Sequence, residues 1–251
     1  MPAVLFVLTS ASKTLTGAQT GYLPEAAHPY YVLAPHATID FASPAGPNPP
    51  IDEGSIKAFE SDAECKKFLA DETVKGKLAS AKKLSDISVK DYDAIFYVGG
   101  HGPVIDLPVD QTNIRLASEV GGCVDLEPLF SPFVVLPSRK DHQRGLPRTC
   151  VSFEQNRKDR WLIPCSRALV GATDAEGKSI FAGKAFTGFS NAEETQVGKV
   201  KDIPFLLEDK ITSLGGKYEK ADEAWAVGAS FSSTRRALIP ESSPRSLSTG
   251  S

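Results

Sequence analysis

The sequence predicts a single α/β domain with a mostly parallel, doubly wound sheet, and three observations carry that expectation. Two short apolar runs, Ala3 to Leu8 and Ala94 to Val98, lack polar alternation, as strands buried on both faces do. Each run ends abruptly, in Thr9-Ser10-Ala11-Ser12 after the first and in Gly99-Gly100-His101-Gly102 after the second. Segments of helical pattern then follow, in the strand-and-helix rhythm of parallel sheets. Open sheets of this kind bind ligands beyond the carboxyl ends of their strands, so Gly99, Gly100, His101 and Gly102 are the expected substrate-binding turn. Glycine at that turn permits positive φ and lets a small molecule approach backbone N–H groups.

The remaining elements are justified in chain order. A polar loop runs from Thr9 to Gly21. Leu23 to Leu33 reads as a helix with Pro24 at a first helical position, and Pro29 is expected to bend or interrupt it. Thr38 to Phe41 reads as the second strand, and the prolines between Pro44 and Pro50 mark an extended surface loop. Ser61 followed by Glu64 reads as a capping box that opens a helix through Phe68 and Leu69, with another short helix in the Lys-rich stretch to Leu84. Gln111 to Val120 places Ile114, Leu116, Ala117 and Val120 near helical spacing. From Gly121 the rhythm breaks into an irregular insert at 121–167, with scattered prolines and one strand-like patch, Phe133 to Leu136. Regularity returns at Ala168. Lys178 to Phe189 reads as a hairpin around Gly183, Glu193 to Leu214 as a helix closed by Gly215-Gly216, and Lys217 to Ala221 as a further strand. The domain is expected to span 1–228, and 229–251, rich in Ser, Arg and Pro, to be a disordered tail.

Composition narrows the function. The 251 residues and 26.9 kDa suit one main domain with a substantial core. A net charge of −3 with 24% charged residues offers no basic excess, so neither a nucleic-acid groove nor a membrane surface is expected as partner. No apolar stretch is long enough to span a bilayer and no leader pattern opens the chain, so a cytoplasmic location, with the nucleus also open, is expected. Cys65, Cys123, Cys150 and Cys165 are widely spaced without a Cys-x-x-Cys pair, which points away from zinc and from a disulfide scaffold.

Four acidic or basic positions could carry chemistry. His101 could orient a substrate or donate a proton, or merely cap its turn. Glu25, at the start of the first helix, could be a buried carboxylate facing the strand ends with a raised pKa, or a surface acid favoured by the helix dipole. Glu193 and Glu194, after Thr187-Gly188-Phe189, present the same alternatives.

A family resemblance rests on three separated motifs in order. They are Thr20 to Tyr30, Asp91 to Gly102 with Asp106-Leu107-Pro108, and Lys184 to Glu194. Together they resemble the PfpI family of the class I glutamine amidotransferase-like superfamily, over roughly Pro2 to Val120 and Ala168 to Trp225. The most similar branch is the glutathione-independent glyoxalases, or D-lactate dehydratases, some of which act as stress chaperones. The resemblance implies a flavodoxin-like sandwich, a small dicarbonyl substrate, conversion of methylglyoxal to D-lactate, and no metal or organic cofactor. It implies a cysteine on a strand-to-helix elbow within Cys-His-Gly-Pro, whose thiolate attacks the aldehyde. Glu25 would be the acid that lowers the thiolate pKa, Glu194 the carboxylate that orients the histidine, and the Gly100 and elbow N–H groups the oxyanion donors. Homodimers and, for the chaperone-like members, unfolded-protein clients are the implied macromolecular partners.

The chain departs from that pattern at the elbow. It runs Trp161-Leu162-Ile163-Pro164-Cys165-Ser166-Arg167 before Ala168 resumes the family-like sequence. Cys165 is the thiol nearest the expected nucleophile position, but Ser166 stands where the adjacent histidine belongs, and no histidine follows His142. Arg236 to Glu241 keeps only an echo of the family's last strand. Two accounts are open at this point. One is a transcript that retains non-coding sequence or shifts frame near Val120 and Ala226, and the other a divergent paralogue that binds carbonyl compounds or unfolded clients without catalysis. The expectations are weak or absent glyoxalase activity for this polypeptide and loss of the strand beside Ala94 to Val98, exposing a sheet edge. Amidase or peptidase chemistry is a third reading, since the same elbow attacks other carbonyls.

Overall fold

The computed structural model describes residues 1–18, 20, 23–121, 160–162, 166–220 and 224. β1 (Ala3–Val7) leads over a crest loop into α1 (Leu23–Leu33), and β2 (Thr38–Ser43) returns parallel to β1, Ala3 opposite Thr38. Three short helices follow, α2 (Glu53–Ala58), α3 (Ala63–Ala70) and α4 (Glu72–Ala79), before β3 (Lys82–Lys83) pairs with the end of β2. β4 (Ala94–Tyr97) pairs with the other side of β1, and α5 (Gln111–Gly121) leaves its crest. β5 (Arg160–Leu162) lies parallel to β4, Ala94 opposite Arg160. Beyond a 3-10 turn at Ser166–Leu169 come β6 (Ala185–Phe186), α6 (Asn191–Gln196), α7 (Leu207–Ser213) and β7 (Lys217–Tyr218).

The main sheet has the order β3-β2-β1-β4-β5 with every pair parallel, as the apolar runs predict. Alternate residues of each strand serve opposite faces. Val4 and Phe6 of β1, Phe41 of β2 and Phe96 of β4 join Ala27 and Tyr30 of α1 and Phe68 of α3 in one core. Leu5, Val7, Ile95 and Tyr97 join Phe181, Leu116 of α5 and Ile211 of α7 in the other. Phe6 and Phe96, both fully buried with ring centroids 4.5 Å apart, each contribute about 1.5–3 kcal/mol by burial. The edge strand β3 is two exposed lysines, a charge pattern that discourages further pairing. Because the chain moves outward from β1 to β3 and then resumes on the other side with β4, the strand order reverses between β1 and β4. The crest there is where loops diverge and a ligand crevice forms.

Several expectations are corrected. A strand does lie beside Ala94 to Val98: β5 covers that side of β4. α1 continues through Pro29, whose missing N–H would have met only the carbonyl of Glu25 one turn back. The cap of α3 is Asp62, which accepts the Cys65 N–H at 2.8 Å, not a Ser61/Glu64 box. The predicted hairpin around Gly183 is absent, because the Gly183 N–H bonds Gly215 C=O and Ala185–Phe186 pairs in parallel with β7. The helix predicted over Glu193 to Leu214 is two helices, since the chain leaves α6 at Gly198, whose φ of +69° a helix does not accept. The patch Phe133 to Leu136, Cys123, Cys150, Cys165 and the 229–251 tail lie outside the described residues, as does most of the 121–167 insert.

Candidate functional site

The two crests flanking the β1/β4 switch point are joined by one half-buried acid. Asp106, beyond the β4 turn, accepts the Thr9 hydroxyl at 2.9 Å, the Ser10 N–H at 2.6 Å, the Ala11 N–H at 3.1 Å and the Leu107 N–H at 2.8 Å. Burial pushes its carboxyl above the ordinary value, against the pull of these donors. The glycine turn beside it is close-packed. A Cβ on Gly102 would lie 2.6 Å from Thr9 Cγ2 and 2.9 Å from the Thr20 carbonyl, to which the Gly102 N–H is bonded at 2.9 Å. Gly100 has φ of +103°, which favours glycine at the tip of the turn.

Glu25 reaches this turn from the first turn of α1 and is 8% exposed. Its carboxylate lies across Gly99 so closely that a Cβ there would fall 1.6 Å from Glu25 Oε2, and the Gly99 N–H bonds it. Burial raises the Glu25 carboxyl to about 7, against the opposing charge of Arg167 and that backbone hydrogen bond. A carboxyl that titrates near neutrality can both give and take a proton.

Glu194 approaches from the opposite side. Ser190 and Glu193 form a reciprocal capping box at the start of α6, and this fixes the turn that carries Glu194. Glu194 is fully buried; one oxygen lies 3.3 Å from His101 Nε2 and the other receives Nη2 of Arg167. Burial alone would raise its carboxyl, but the His101 hydrogen bond and the Arg167 charge outweigh burial and hold it below the ordinary value. Arg167, 6% exposed in the 3-10 turn, sets its guanidinium carbon 5.4 Å from the Phe189 ring centroid, and its buried Nε has no hydrogen-bond partner.

The fold thus gathers Glu25, Gly99, Gly100, His101, Gly102 and Glu194 of the sequence-predicted site at one crest. Cys165 lies outside the described residues. Arg167 and Asp106 were missed as site residues. Asp106 stood inside a family-like motif, but the partners of Arg167 had no local sequence signal. A small apolar cavity of about 30 Å³ adjoins Gly99 on the α1 side, bordered by Leu8, Leu23, Pro50, Phe68 and Val98. No helix among the described residues is long and apolar enough to cross a membrane.

A doubly wound parallel sheet with two buried carboxylates, Glu25 and Glu194, at its switch point defines an α/β protein with an acidic crest site. Among solved structures, the Francisella tularensis Rapid Encystment Protein 24 kDa is similar at 30% identity and a TM-score of 0.67, over 90% of this chain and 86% of that one. The chain belongs with it to the PfpI/DJ-1-type family of the class I glutamine amidotransferase-like superfamily. Glyoxalase III from Candida albicans shares the fold at 21% identity and a TM-score of 0.61, over 90% of this chain and 85% of that one. No family model matches the chain, and no curated protein matches it.

Proposed function

We propose that the chain is a glutathione-independent glyoxalase that converts methylglyoxal to D-lactate, at a turnover lowered by its altered elbow. The observation that carries the reading is Glu25, a buried carboxyl titrating near 7 over Gly99 and opposite the Glu194–His101 pair. Pairs of titratable groups pushed apart in pKa supply the acid and the base of a proton-transfer reaction. In this reading the Cys165 thiolate adds to the aldehyde carbon, forming a C–S bond while the carbonyl oxygen takes a proton. His101, oriented by Glu194, moves the proton from the former aldehyde carbon to its neighbour through an enediol. Water then breaks the C–S bond of the resulting thioester and releases the hydroxy acid. The family's elbow histidine is replaced by Ser166, so His101 alone stands in for it.

Arg167 favours a second reading. Its ion pair takes one of the two Glu194 oxygens and shares with His101 the carboxylate that would orient a catalytic histidine, as suits a noncatalytic carbonyl-binding or chaperone-like protein. D-lactate formed from methylglyoxal without glutathione, measured with the full chain, separates the two. The glyoxalase reading expects slow D-lactate production that falls by about 10²-fold or more in Glu25→Gln. No D-lactate above the uncatalysed rate, together with suppressed aggregation of a thermally unfolding client, would establish the second reading instead.

A further inference from the structure

Where α1 packs on α3, three unlike donors converge outside the crest. His28 projects from α1, Asp62 is the N-cap of α3, and Cys65 stands in the first turn of α3. One donor atom from each lies within 4.8 Å of the other two. His28 Nε2 is 3.1 Å from Asp62 Oδ1 and 3.7 Å from Glu64 Oε2, which puts a fourth oxygen at the rim. The imidazole and carboxylates are half-exposed, whereas Cys65 is 1% exposed with its thiol hydrogen-bonded to Asp62, so an ion entering from solvent would meet oxygen and nitrogen first and sulfur last.

Capping accounts for Asp62, but it does not require an imidazole and a buried thiol at the same point. We propose that His28, Asp62 and Cys65 bind a zinc ion, with Glu64 or water as fourth ligand, and that this ion clamps α1 to α3. Zinc bonds of about 2.0–2.3 Å at tetrahedral angles separate donors by roughly 3.3–3.8 Å, so rotations of surface side chains bring the three into range. The mixture of sulfur, nitrogen and oxygen suits zinc and excludes the all-oxygen preference of calcium and magnesium. The two carboxylates supply the negative charge that a divalent ion requires. The Cys65 N–H on Asp62 Oδ1 is the outer hydrogen bond that holds a ligating carboxylate in place. The site is independent of the glyoxalase reading, although the clamped helix is the one that carries Glu25.

Cobalt(II) titration of the chelator-treated full chain tests the assignment, because a thiolate ligand gives a near-ultraviolet charge-transfer band and tetrahedral cobalt gives strong visible bands. Both bands are expected in the native chain, displaced by zinc, and the charge-transfer band is expected to be lost in Cys65→Ser. His28→Gln, at a half-exposed position that folding tolerates, is expected to weaken cobalt binding more than about 100-fold, beyond what losing an outer-shell partner costs. Zinc should raise the melting temperature of the native chain and not of His28→Gln. A charge-transfer band that persists in Cys65→Ser, no band in the native chain, or native affinity in His28→Gln would each overturn the proposal.

Discussion

Glu25 and Glu194 are both buried at one sheet crest, yet the first titrates near 7 and the second is held below the ordinary carboxylate value. The α1 side offers Glu25 a glycine surface, one backbone N–H and a cation that acts only through space. The α6 side gives Glu194 the same cation in direct contact and an imidazole at 3.3 Å. Burial therefore does not decide which acid is charged; contact with a compensating partner does.

The contact that separates the two acids is also the one whose loss should cost most. Arg167→Met leaves Glu194 buried against His101 alone and is expected to cost about 3–5 kcal/mol in urea unfolding, as breaking a buried ion pair does. The double variant Arg167→Met/Glu194→Gln should recover most of that loss. If the single variant is within 1 kcal/mol of native, at about the value of an exposed pair, the ion pair does not hold this side together.

The pH dependence of stability should show the two acids pulling in opposite directions. Below about pH 4.5 Glu25 is protonated in both the folded and the unfolded chain. Between 4.5 and about 7 the folded chain keeps a proton that the unfolded chain has released, so the Glu25 contribution to stability falls as pH rises, by roughly 3 kcal/mol in all. Glu194 does the reverse: its contribution is present above the ordinary carboxylate range and is lost as pH falls through its lowered folded value. Unfolding free energies measured across this range should decline toward neutrality in the native chain and decline less in Glu25→Gln. Parallel profiles would mean that Glu25 is not held neutral.

What the sequence revealed of this site follows the range of the interactions. Ala3–Val7 and Ala94–Tyr97 were legible because a doubly buried strand announces itself in consecutive residues, and the glycine turn because glycine marks backbone that no other residue fits. The Glu194 environment was not, since Arg167 stands 27 residues away and His101 93. Asp106 ties crests 95–97 residues apart and shows nothing local. β5 was overlooked because three residues beginning with an arginine carry no strand pattern; pairing with β4 makes them one. The start of α6 was recoverable, as Ser190 and Glu193 have capping-box spacing, but the apolar residues farther on concealed the break at Gly198.

The α1 side can be probed without touching a charge. Gly99→Ala places a methyl 1.6 Å from the present position of Glu25 Oε2, so either the acid or the strand end must move, at about 1–3 kcal/mol for overpacking. In a Glu25→Ala background the three atoms nearest that methyl are gone, and the same substitution should cost far less. The two changes should therefore depart from additivity by more than about 0.5 kcal/mol in a double-mutant cycle, the margin expected of independent sites. Additivity within that margin would show that Glu25 is not seated on Gly99, and its near-neutral titration would then need another cause. A clear coupling would establish that glycine at this position exists to admit a carboxyl, which is why the α1 side keeps its acid neutral while the α6 side neutralises its own with a cation.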